Sequence, residues 1–176
     1  MARKAPTVEE ILNDFPHPTV PQVTSEPTYE TIHRVHKILQ ESASSVHSNL
    51  GGGMHGHLAL VLTPAHYQQV TRHIFGPPRH PGPNPPNPRA FVLQHDLQSQ
   101  QDQYYSRLHR FQVYKNTNKA IVKQICAAFD ERFYKALQNG IVGYNNCTAA
   151  DFLHHLYGNY GQINSTMITE SENKMV

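Results

Sequence analysis

The chain has 176 residues, an apolar fraction of 38%, thirteen prolines, no tryptophan and a formal charge of +2. That length sets one domain with loose ends, and so low an apolar fraction implies that part of the chain is extended rather than packed. The small net charge excludes a strongly basic nucleic-acid binder, and two cysteines, Cys126 and Cys147, exclude a disulfide framework or a cysteine-based zinc set.

Residues 1–27 allow one short helix at 8–13. Pro16, Pro18, Pro21 and Pro27 oppose anything longer. The expectation is an extended, proline-rich arm that is either idle or docks on a neighbouring subunit. Residues 28–46 have helical spacing, with Ile32, Val35, Leu39, Ala43 and Val46 on one face and Glu30–Arg34 as a favourable i,i+4 pair. Serines and Gly51 to Gly53 end that helix. Residues 54–62 fit two patterns: Leu58, Leu60 and Leu62 alternate as in a strand, while Met54, Leu58, Val61 and Leu62 fit a helix. Thr63-Pro64 then reads as an N-cap followed by proline at the first helical position, with Tyr67, Val70 and Ile74 as the apolar side.

Residues 76–88 hold seven prolines and are expected to form an exposed loop, extending to about residue 90. Helix returns near Leu93 and runs to about Tyr114, through Leu97, Tyr104, Leu108 and Phe111. Asn116-Thr117-Asn118 predicts a break. Ala120 to Phe129 resumes, and a further short helix carries Phe133 and Leu137 and closes at Gly140. Residues 139–147 form a loop. The run TAADFLHHLYGNYG at 148–161 is a capped amphipathic helix. Thr148 and Asp151 have capping-box spacing, and Phe152, Leu153, Leu156, Tyr157 and Tyr160 share a face. Gly161 is placed to end the helix in a left-handed conformation. The predicted architecture is all-α, a compact bundle of six or seven helices with an N-terminal arm and a proline-rich loop.

Four ordered segments carry a family resemblance. They are PTYETI at 27–32, GGGMHGHL at 51–58, NKAIVKQI at 118–125 with FDERFYKAL at 129–137, and the run at 148–161; HPGP at 80–83 fits the same set. Together they resemble the capsid region, amino-terminal lobe, of copia-type LTR retrotransposon Gag proteins of the algal and protist-like branch, over roughly residues 27–164. The resemblance favours helix for 54–62 and divides the chain into the arm 1–27, a helical capsid-like domain 28–163 and a polar tail 164–176 that opens a further segment in longer relatives. It implies a structural, non-enzymatic function: copies self-associate into a virus-like particle around element RNA, in a truncated or host-adopted form.

Read residue by residue, the chemistry is sparse. His55 and His57 are the candidate metal ligands, two imidazoles in a glycine-rich turn, but no third ligand lies near them in sequence. His154 and His155 point about 100° apart on a helix and do not chelate together. The three glycines at 51–53 lack the Lys-Ser/Thr ending of a phosphate loop. No Ser sits in a nucleophile elbow, and Cys126 falls on the buried face of a helix. No catalytic residue and no cofactor is expected.

Residues 98–140 carry seven Lys/Arg against three Asp/Glu. Arg107, Arg110, Lys119 and Lys123 are the candidates for a weak, salt-sensitive RNA contact, although a solvated helix face accounts for the same charges. Arg79, His80 and Arg89 in the proline-rich loop are the candidates for an assembly or partner contact. The alternative function is a monomeric adaptor that uses that loop. No apolar run is long enough to span a membrane, and the free cysteines suit a reducing, cytoplasmic setting.

Overall fold

The fold was examined in a computed structural model that describes residues 3–84 and 94–162. Helices form where a cap and an apolar stripe coincide. Thr7 caps α1 (Val8–Asp14), Thr28 caps α2 (Tyr29–Ser45), Thr63 caps α3 (Pro64–Thr71), and Thr148 caps α5 (Ala149–Tyr160). In each case the threonine hydroxyl accepts the N–H three residues on, satisfying a donor the helix cannot. The longest element, α4 (Gln94–Ala128), has 35 residues and spans about 52 Å. Among the described residues there is no strand, only isolated bridges at Val23–Phe129 and Asn139–Gly143.

The all-α expectation therefore holds, with five α-helices among the described residues where six or seven were expected. Two expected helices are one. The predicted break at Asn116-Thr117-Asn118 does not occur, because those side chains have partners that leave the helix intact. Thr117 Oγ1 donates back to Val113 O at 2.6 Å, Asn116 Nδ2 donates to Pro6 O at 2.9 Å, and Asn118 Oδ1 accepts Ala149 N–H at 3.0 Å. Two others are 3-10 turns, at Leu58–Val61 and at Glu131–Phe133 with Lys135–Leu137. Both stretches are too short to meet the cost of α-helix nucleation. The second buries two consecutive aromatic rings, Phe133 edge-on to Tyr160 and Tyr134 edge-on to Phe152.

The core lies where α2, α4 and α5 meet. Ile32, Val35 and Leu39 from α2 face Ile121 and Ile125 from α4 and Phe152, Leu153 and Leu156 from α5, with Leu60 and Val61 of the first 3-10 turn beneath. Gly161 does not take the left-handed conformation expected of it; its φ is −94°. It accepts the helix end by close approach instead, since a Cβ there would sit 2.9 Å from the Tyr157 backbone.

The amino-terminal segment differs most from expectation. It is not a free arm. Ile11 and Phe15 are each 3% exposed and belong to the core. The rest runs alongside α4: His109 Nδ1 donates to Arg3 O at 3.0 Å, Lys123 Nζ pairs with Glu9 at 2.6 Å, Gln124 Nε2 donates to His17 O at 2.8 Å, and Val23 N–H donates to Ala128 O at 2.6 Å. Prolines bar a long helix here, so the extended backbone takes its hydrogen bonds from α4 side chains. The expected boundary between arm and domain at residue 27 thus falls inside one packed unit. The tail 164–176 lies outside the described residues.

Candidate functional site

The glycine-rich turn was the first place where chemistry was expected. His57 is 2% exposed and fastens the end of α2. Its main-chain N–H donates to Ala43 O at 2.9 Å, and its ring Nδ1 lies 2.8 Å from Val46 O. A carbonyl only accepts, so Nδ1 carries the proton. Gly56, at φ +52°, makes this closure possible; a Cβ there would overlap Ser44 O and come within 2.6 Å of Val46 O. Burial pushes the His57 pKa below its ordinary value, and the Val46 hydrogen bond opposes that only in part. The neighbouring His55 is half-buried. Among the described residues no three His, Cys, Asp or Glu side chains are grouped to hold a metal ion. His57 is a buttress, with its other ring nitrogen left for a neighbour.

The four candidate RNA contacts do not form one stripe. At about 100° per residue, Arg107 and Arg110 lie close together on α4 while Lys119 and Lys123 lie roughly on the opposite side. Lys123 is drawn to Glu9 at 2.6 Å. Arg107 and Arg110 line an open groove with Gln98, Asp102 and Ser106, on the exposed half of the helix. Lys119 is exposed near the packed half.

Of the loop candidates, Arg79 is exposed and in no ion pair among the described residues. His80 is held to its own chain: its ring packs edge-on to Phe111 at 5.2 Å, and its Nδ1 accepts the Gly82 N–H at 2.9 Å. Tyr104 donates to Gly82 O at 2.9 Å, which tacks the loop onto α4. Arg89 lies outside the described residues. Beside the loop, α3 does not bury the side expected of it. Tyr67 is in the core, but Val70 is 55% and Ile74 75% exposed. Ile74 borders an apolar groove of about 370 Å³ with Pro64, Tyr67, Phe75, Pro77 and Tyr114.

Two polar features escaped the sequence reading. His36 joins three elements: its Nε2 donates to Val61 O at 2.5 Å, and its Nδ1 accepts from the Tyr157 hydroxyl at 2.9 Å. Burial lowers the histidine pKa and raises that of Tyr157 to about 12, so the pair is neutral. The signal was position: His36 follows Ile32 by one helical turn on the apolar face. Cys147, Asp151, His154 and His155 share one groove. Two of them are engaged within the chain: Asp151 accepts Thr148 N–H at 2.9 Å, and His155 Nε2 donates to Phe133 O at 3.0 Å. Burial and the nearby Asp151 raise the Cys147 thiol pKa, which disfavours a thiolate.

Comparison with protein-family models, with curated proteins and with solved structures finds no match to this chain. Among the described residues no helix is long and apolar enough to cross a membrane.

Proposed function

We propose that this chain is a structural, self-associating protein of the capsid type, resembling the amino-terminal lobe of copia-type Gag proteins, and that copies assemble around RNA. One observation carries the reading. The separate segments that bear the resemblance pack against each other instead of scattering over the surface. Ile32 from the first, Leu58 from the second, Ile121, Ile125 and Phe133 from the third, and Phe152 and Leu156 from the last belong to one hydrophobic cluster. A set of motifs that shares one core behaves as the framework of a fold.

The contact surface follows from what the framework leaves uncovered. Residues 3–27 are engaged with α4, so the expected role for a free arm passes to the loop and α3, where Val70, Ile74 and Arg79 are exposed. Arg107 and Arg110, on the exposed half of α4, are the stronger of the four RNA candidates, because Lys123 is already paired. A second reading, a monomeric adaptor, draws on the apolar groove beside Ile74 and the prolines that flank it.

Light scattering and negative-stain microscopy at rising protein concentration, with and without RNA, separate the two. Regular particles or discrete oligomers are expected, and Ile74→Asp is expected to reduce them. A strict monomer under every condition contradicts the capsid reading and leaves the adaptor.

A further inference from the structure

Between the glycine-rich turn and α4 lies a small pocket of about 170 Å³ lined by His47, Ser48, Asn49, His57, His109 and Arg110, with Ser106 and Val113 at its side. Its ionisable side chains are all basic. Each imidazole already gives one nitrogen to an acceptor: His47 Nε2 to Asn49 Oδ1 at 3.0 Å, His57 Nδ1 to Val46 O at 2.8 Å, and His109 Nδ1 to Arg3 O at 3.0 Å. The second nitrogen of each ring is left over. Ser48, 6% exposed, accepts the Leu50 N–H at 3.1 Å, which leaves its own hydroxyl hydrogen to donate. The Arg110 guanidinium is in no ion pair among the described residues. No Asp or Glu lines the pocket. Asp102 shares the adjoining groove with Arg107 and Arg110, without reaching ion-pair distance of either.

We infer that this pocket binds a phosphate group, held by Arg110, the Ser48 hydroxyl and the protonated ring of His57, with His109 beside them. The inference is independent of the capsid reading. Arginine suits a phosphate because its planar fork donates two parallel hydrogen bonds, and a buried hydroxyl adds a short neutral one. A metal suits the pocket less, since among the described residues no three His, Cys, Asp or Glu side chains are grouped to hold one. The volume exceeds that of a few waters, at about 30 Å³ each, and so accommodates a tetrahedral oxyanion with part of its ester.

Binding is coupled to protonation. Neutral His57 presents a lone pair at Nε2, which repels an anion; protonated, it presents a donor. The groups that face it are His47 from the turn, His109 and Arg110 from α4, and the rings of Tyr114 at 6.2 Å and Phe75 at 6.4 Å. Burial holds the His57 pKa below 6.5, so the empty pocket favours the neutral ring near neutrality. By linkage, an anion of fixed charge, such as a phosphodiester, that prefers the protonated ring must raise that pKa and must bind more tightly in acid.

The test is an NMR titration of the full chain with inorganic phosphate, above and below pH 6.5, with chloride holding the ionic strength constant. Saturable shifts of the His57 and Ser48 signals are expected, and a dinucleotide, whose phosphodiester charge is constant over this range, is expected to bind more tightly on the acid side. Arg110→Gln is expected to weaken binding roughly ten- to a hundredfold, whereas Lys115→Gln, exposed on α4 and outside the pocket, leaves it within about twofold. His109→Gln, on the same surface, provides a second variant that keeps the core intact. A nucleoside 5′-monophosphate and a dinucleotide serve as further probes: the tighter of the two tells a terminal phosphate from a backbone phosphodiester. Failure to saturate in millimolar phosphate, equal binding by Arg110→Gln, or loss through Lys115→Gln instead overturns the inference.

Discussion

The two halves of α4 are one helix in two environments. From Thr117 to Ala128, the face turned to α2 and α5 is closed: Thr117, Ala120, Ile121, Ile125 and Ala128 are all 0% exposed. From Gln98 to Gln103 every residue is exposed, and Tyr104, Leu108 and Phe111 are only half-buried. The packed half is held by tertiary burial and the outer half by helix propensity, its Gln-rich turns and the loop that Tyr104 and Phe111 retain. Of the groups proposed to bind a partner, Arg107, His109 and Arg110 lie in the outer half, whereas Lys119 and the paired Lys123 lie in the packed half.

Substitutions that treat the halves unequally sharpen this contrast most. Ile121→Ala is expected to cost about 2–5 kcal/mol, while Leu97→Ala, half-buried near the other end, costs less than about 1 kcal/mol. Urea denaturation of both variants measures the difference, and similar losses would break the comparison. Next in size is Gly56→Ala. Its left-handed backbone and the overlap of a Cβ with Ser44 O lead to an expected loss of at least about 2 kcal/mol by the same measurement.

The third prediction concerns pH. His36 and His57 both have pKa values held below 6.5, chiefly by burial. As the pH falls through 6.5 the unfolded chain takes up protons before the native state does. Their contribution is thus complete above pH 6.5 and is lost on acidification toward the folded-state values. Each histidine contributes a slope no steeper than about 1.4 kcal/mol per pH unit. Urea midpoints across this range are expected to fall on the acid side, with a shallower fall in His36→Gln; a flat profile contradicts the assignment of neutral rings.

Smaller effects test the joints. Asn118→Ala removes the acceptor for Ala149 N–H and is expected to cost about 1 kcal/mol, similar to Thr148→Ala at the same helix start. The Glu9–Lys123 pair is exposed, so Lys123→Ala is expected to change stability by less than about 0.5 kcal/mol in thermal unfolding.

What the sequence revealed divides along the same line. Local signals were legible: the Thr148–Asp151 box, Thr63-Pro64, and the stripe from Ile32 to Ala43 all mark real helices. Signals that depend on distant partners were not. Asn116-Thr117-Asn118 looks like a break because such side chains compete for nearby backbone, yet Pro6 and Ala149 occupy the two asparagines. Val8, Ile11, Leu12 and Phe15 carry a helical stripe that the surrounding prolines masked. A helix over 8–13 stops two residues short of Phe15, and so leaves out the side chain that ties the segment to the core. His36, at the centre, is one of thirteen histidines in the chain; only its place on an apolar face sets it apart. The phosphate pocket draws on residues 47–57 and 106–113, and no spacing in the sequence joins them.

Residue-resolved hydrogen exchange along α4 tests the division of this helix most directly. Amides from 117 to 128 are expected to exchange only through global unfolding, and those from 98 to 110 through local opening at much lower free energy, with protection continuous across 116–118. Equal protection of both halves, or a loss of protection centred on Thr117, would contradict the account.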